Sequence, residues 1–168
     1  MAKLLWTQKQ DIGPRPRTRH GMAYDAARRQ TLLFGGNMFA GRLVNDTWAW
    51  DGANWTQLEN RGPSERSGHA MTYDAARSRV VLFGGTSATS DMSDTWEWDG
   101  EAWTQMENTG PAPRTSHAMT FDAARQRTVL FGGATSGDNG QPLGDTWEWD
   151  GSDWSQVDDG GPSPLRPS

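Results

Sequence analysis

The chain has no cysteine and only two tyrosines among its 168 residues. Without cysteine there can be neither a disulfide framework nor a thiolate metal site. No apolar run approaches the roughly 20 residues of a membrane-spanning helix. The opening MAKLLWTQKQD likewise holds too short an apolar stretch for a signal peptide. A basic excess is also missing: the formal net charge is −5 and the pI is about 5.1. That balance disfavours nucleic acid and anionic membranes as partners, because both recruit basic faces. P-loop, dinucleotide and His-Glu-x-x-His patterns are absent, and the compartment stays unspecified.

What the chain does have is glycine, proline and above all tryptophan, at 20, 9 and 10 residues. Turn-forming residues interleaved with aromatics imply many short strands. The tryptophans recur: DTWEWDG stands at 94–100 and 145–151, and DTWAWDG at 46–52. His20, His69 and His117 are 49 and 48 residues apart, as are the diglycines Gly35-Gly36, Gly84-Gly85 and Gly132-Gly133. Residues 66–85 and 114–133 agree at 15 of 20 positions, which indicates recent duplication or design.

Each unit reads as four strands. HAMTYD alternates with a period of two, and the polar DAARSR turns the chain. VVLF (80–83) suits a strand buried on both faces. DTWEW puts Trp96 and Trp98 on one face and Glu97 on the other, Asp99-Gly100 makes a hairpin turn, and WTQM (103–106) forms the outer strand. A single four-stranded sheet cannot bury both faces, whereas sheets set side by side around an axis can, as in a β-propeller.

An apolar run ending in Gly-Gly, followed by an aromatic residue and a tryptophan seven positions later (Trp48/Trp55, Trp96/Trp103, Trp147/Trp154), resembles the kelch repeat, in three copies over nearly the whole chain. Tryptophan stands where the family usually has tyrosine before the spaced Trp. The resemblance implies an all-β fold with three four-stranded antiparallel blades per chain. The expected layout is one repeat domain over 1–168, with blades at 14–57, 63–106 and 111–157. Residues 4–8, carrying WTQ at 6–8, read as a spare outer strand. Residues 158–168 read as the start of a further repeat.

Closed propellers typically hold about four to eight blades, so three leave the ring open. Two bare blade faces of roughly 500 Å² of apolar area would each cost on the order of 12 kcal/mol. The expected partner is therefore a second copy, two chains making six blades, with a nine-bladed trimer as the other option.

No catalytic, cofactor-binding or metal residue is expected. Histidine is a common metal ligand, but His20, His69 and His117 belong to a repeated R-x-x-H and read as blade packing. The Asp/Arg pairs of DAAR read as turn hydrogen bonds with solvated ion pairs. Asp46, Asp94 and Asp145 read as acceptors for backbone N–H groups at the loop ends. Kelch-like copper-radical oxidases need a Cys–Tyr crosslink, which this chain cannot form. The connection from diglycine to the Trp strand varies between units and marks Met38, Phe39, Arg42, Leu43, Asp91, Met92, Asp138, Asn139 and Gln141 as candidate binding-loop residues. The leading expectation is a non-enzymatic, self-assembling interaction scaffold for protein or glycan, or an engineered protein without a natural ligand. The alternative is part of a kelch-type epimerase or lyase, which would require polar residues unique to one blade.

Overall fold

A computed structural model describes residues 13–58, 61–106, 109–135 and 140–158. It consists of three four-stranded antiparallel sheets in sequence order, in agreement with the expected blades. The first holds β1 (Gly21–Asp25), β2 (Gln30–Phe34), β3 (Thr47–Trp50) and β4 (Trp55–Gln57). The second holds β5 (Ala70–Asp74), β6 (Arg79–Phe83), β7 (Thr95–Trp98) and β8 (Trp103–Gln105). The third holds β9 (Ala118–Asp122), β10 (Arg127–Phe131), β11 (Thr146–Trp149) and β12 (Trp154–Asp158). The innermost strands β1, β5 and β9 lie next to one another, so each sheet presents a face to the next. The expected strand at 4–8 and the tail from 159 onward lie outside the described residues. Asp158, expected to open that tail, instead ends β12, which runs past a bulge between Thr146 and Trp147.

Register explains which side chains fill the seams between sheets. On β6, Val80 and Leu82 face the first sheet, while Val81 and Phe83 face the third; all four are fully buried. Trp98 and Trp96 pair with Val80 and Leu82, so both project from the second sheet toward the first. Alternation thus distributes one apolar run between two cores. In the second and third sheets the two members of the Trp pair are not equivalent: Trp98 and Trp149 are fully buried, while Trp96 and Trp147 are half-buried at the seam margin.

The turns follow from local chemistry. In each DAAR hairpin the aspartate accepts the N–H of the arginine three residues on, and Arg29, Ser78 and Gln126 take left-handed backbone. Asp25 and Asp74 are buried, however, so these are not the solvated pairs expected. The diglycines are required by close approach. Gly35 and Gly84 have φ near +60°, and a Cβ on either would meet the Arg66 or Arg114 carbonyl at 2.9 or 2.8 Å.

Candidate interaction faces

The seam between the first and second sheets is built from a repeatable set of contacts. Trp103 Nε1 donates to Thr47 Oγ1 at 3.1 Å, and the Phe34 ring meets Trp103 and His69 edge-on at 5.5 and 5.6 Å. Backbone bonds run both ways, from Arg66 N to Val44 O and from Gly36 N to Arg66 O. The second seam repeats this with Trp154 Nε1 on Thr95 Oγ1 at 2.9 Å, Phe83 against Trp154 and His117, and Arg114 N on Met92 O.

Each blade is fastened internally by an arginine and an aspartate some 30 residues apart. Arg66 is fully buried; its two terminal nitrogens donate to Asp94 at 2.6 and 2.7 Å, and it also donates to the Gly84 and Ser64 carbonyls. Arg114 holds Asp145, and Arg17 holds Asp46, in the same way. The same carboxylates accept the indole N–H of Trp96, Trp147 and Trp48 at 2.7 Å. These carboxylates therefore chiefly accept side-chain donors, and the backbone N–H donation expected from sequence is the smaller contribution. Burial alone would raise the Asp94 pKa, but the Arg66 hydrogen bonds and charge outweigh it and hold the carboxyl below its ordinary value. Asp46 is lowered by the same balance, and Asp145 chiefly by its Arg114 bonds.

One letter distinguishes the seams. Glu97 accepts the Trp149 indole N–H at 2.8 Å, whereas its counterpart in the first sheet is Ala49, and Trp98 Nε1 is buried without a partner. Trp149→Phe is expected to cost about 1–2 kcal/mol more than Trp98→Phe, because only the former breaks a hydrogen bond, one made to a buried carboxylate that would keep only its Arg77 donors. Urea unfolding of the two variants measures that difference.

Two faces carry half of a seam each. On the outer face of the third sheet, Phe131 is 37% exposed, whereas Phe34 and Phe83 are fully covered by the next sheet. On the outer face of the first sheet, Met22 is 46% exposed where Met71 is 8%. Two cavities open on that same face. One, of about 460 Å³, is lined by Arg15, Arg17, Met38, Arg42, Asp46 and Trp48 among others. The other, of about 410 Å³, is lined by Tyr24, Arg29, Thr31, Trp50, Asp51 and Gly52.

The candidate loop residues are dispersed. Phe39 sits in a short 3-10 turn (Phe39–Gly41) and is 96% exposed; Arg42 is exposed beside it, and Met38 and Leu43 are half-buried. Asp91 and Met92 are half-buried, and the Met92 carbonyl accepts the Arg114 N–H across the second seam. Gln141 is exposed; Asp138 and Asn139 lie outside the described residues. Sequence reasoning missed the Arg–Asp fasteners, although both partners recur in register in all three units.

The repeated Gly-Gly and Trp spacing, the three sheets and their two matching seams agree with one further finding. The family model of the KLHDC2/KLHL20/DRC7 Kelch-repeats domain matches residues 1–167. The chain belongs to the kelch-repeat family. No curated protein matches it. Kelch-repeat domains typically serve as non-enzymatic modules that bind protein partners. Among the described residues of this kelch chain, no helix is long and apolar enough to cross a membrane. None of its clusters of His, Asp and Glu among those residues could hold a metal ion.

Proposed function

We propose that this kelch chain is a non-enzymatic interaction scaffold that assembles with itself, two copies joining head to tail into a ring of six blades. One observation carries the reading. The outer faces of the first and third sheets are the two halves of a seam that the chain already makes twice internally. Phe131 supplies the ring that Phe34 and Phe83 supply elsewhere. His20 and Trp55 stand where His69 and Trp103 receive it. Leaving both faces in water forfeits hydrophobic burial comparable to the stability of a whole domain. The loops holding Met38, Phe39, Arg42 and Leu43, with Asp91 and Gln141 on the neighbouring blades, would then be spaced around one rim as a surface for a protein or glycan ligand. The absence of blade-specific polar residues along β1, β5 and β9 favours binding over sugar chemistry.

Sedimentation equilibrium at micromolar concentration should return twice the 18.6 kDa chain mass. A monomer at every concentration would overturn self-assembly.

A further inference from the structure

The two internal seams show what should occupy the cavity at Tyr24, Trp50 and Gly52. In the first seam, Arg28 of one sheet crosses to the Asp-Gly hairpin of the next, where its guanidinium donates to the Asp99 carbonyl over Gly100. In the second, Arg77 crosses in the same way to the Gly151 carbonyl. A Cβ on Gly151 would lie 2.6 Å from Arg77 Nη1. The glycine at this hairpin position is therefore the floor of an arginine socket. Gly52 is the third such glycine, with nothing within 4 Å of where its Cβ would be. The third such arginine is Arg125, whose side chain is 56% exposed on the opposite open face, bonded to Asp122 and Glu148.

We propose that Arg125 of one copy plugs the Tyr24–Trp50–Asp51–Gly52 socket of a second copy, and that Glu148 beside it accepts the Trp50 indole N–H. The inference rests on the head-to-tail reading above and names the contacts that select it. Neither internal seam has the full set. The first has a tyrosine hydroxyl, Tyr73, accepting the Ala27 N–H at 3.1 Å, but Ala49 leaves it without the glutamate. The second has Glu97 held by Arg77 and accepting from Trp149, but Phe121 replaces the tyrosine. Between copies, Tyr24, Arg125 and Glu148 would bring hydroxyl, guanidinium and carboxylate together.

Charges complement as well. Arg29, where the other units have Ser78 and Gln126, gives the socket a cation to meet Glu148, and Asp51 gives it an anion to meet Arg125. The seam between copies is thereby more polar and more selective than the seams within one chain, as suits a contact that must form between separate molecules.

The test compares dimer dissociation constants by sedimentation for the wild type, Arg125→Ala, Glu148→Ala and Glu148→Gln. Both alanine variants change side chains on an open face and should keep the wild-type far-ultraviolet circular dichroism. Each should weaken the dimer by about 10- to 100-fold. Glu148→Gln, which keeps an acceptor for Trp50, should fall between wild type and Glu148→Ala. Glu97→Ala, the same change in an internal seam, should lower thermal stability and leave the dimer constant within about threefold. A wild type that is monomeric throughout would remove the ring reading itself. A dimeric wild type whose constant is unchanged in Arg125→Ala and Glu148→Ala would overturn the socket and leave the ring standing.

Discussion

Replacing Arg66 with leucine is expected to destabilise the chain by about 3–5 kcal/mol in an equilibrium denaturant titration. The guanidinium is completely enclosed and serves five acceptors: both Asp94 oxygens, the carbonyls of Gly84 and Ser64, and the Ser64 hydroxyl. Leucine fills much of the volume but strands every one of them. The two carbonyls would lose their guanidinium donors, and of its side-chain donors the Asp94 carboxylate would keep the Trp96 indole. Burial pushes the Asp94 pKa upward and Arg66 does most to reverse it, ahead of the Trp96 indole, so the deficit against wild type should narrow as pH falls and Asp94 protonates. Arg66→Leu combined with Asp94→Leu should be less costly than the sum of the single changes, since the two act as one unit. Equal losses in Arg66→Leu and in an exposed control such as Arg61→Leu would show that the pair contributes nothing beyond surface charge.

The fasteners also show where the sequence stopped being legible. The four strands of each unit could be read because alternation, the VVLF run and the Asp-Gly turns are local signals. Side-chain direction followed from them, and Trp96, Trp98 and Glu97 stand on the faces the period of two assigns. Pairing between Arg66 and Asp94 is a long-range fact. Equal repetition shows that both are needed in every blade, yet it cannot show that they are needed by each other. The same limit applies to the solvent exposure of Asp25 and Asp74. A turn sequence looks the same whether its hairpin meets water or, as here, the flank of the next sheet.

Differences between repeats were harder to read than their likenesses. DTWAWDG differs from DTWEWDG by one letter, and only the register of β3, β7 and β11 shows what that letter does. Ala49 leaves Trp98 without an acceptor, Glu97 satisfies Trp149, and Glu148 faces outward. The cavity beside Gly52 had no signal in sequence, because it is defined by which neighbouring arginine is missing.

Acid should unfold this chain through its histidines well before its carboxylates titrate. His69 is buried against Phe34 and near the Arg66 charge, with His117 and His20 adding to the cost of a proton; its pKa falls from 6.5 to about 3. His117, buried against Phe83 and near Arg114, falls to about 4. The backbone at Phe34 and at Phe83 offsets only part of each shift. Both rings are neutral in the fold and become charged in the unfolded chain once pH drops below about 6.5, so protons favour unfolding. Stability should be level above that pH. Below it, stability should fall by about 1.4 kcal/mol per pH unit for each histidine, a combined loss of about 6 kcal/mol by pH 4. That is of the order of a whole domain's stability. Asp46, Asp94 and Asp145, lowered in the fold, add their own loss only below about pH 4. Denaturant titrations between pH 5 and 6 should therefore show these two histidines contributing a slope of about 2.4 kcal/mol per pH unit, of which His69→Gln removes about half whatever that variant's absolute stability. An unchanged slope would mean that His69 takes up its proton in the folded state. The identical ring and arginine contacts that make these residues poor bases are those that close each seam, so acid sensitivity and blade packing have one cause.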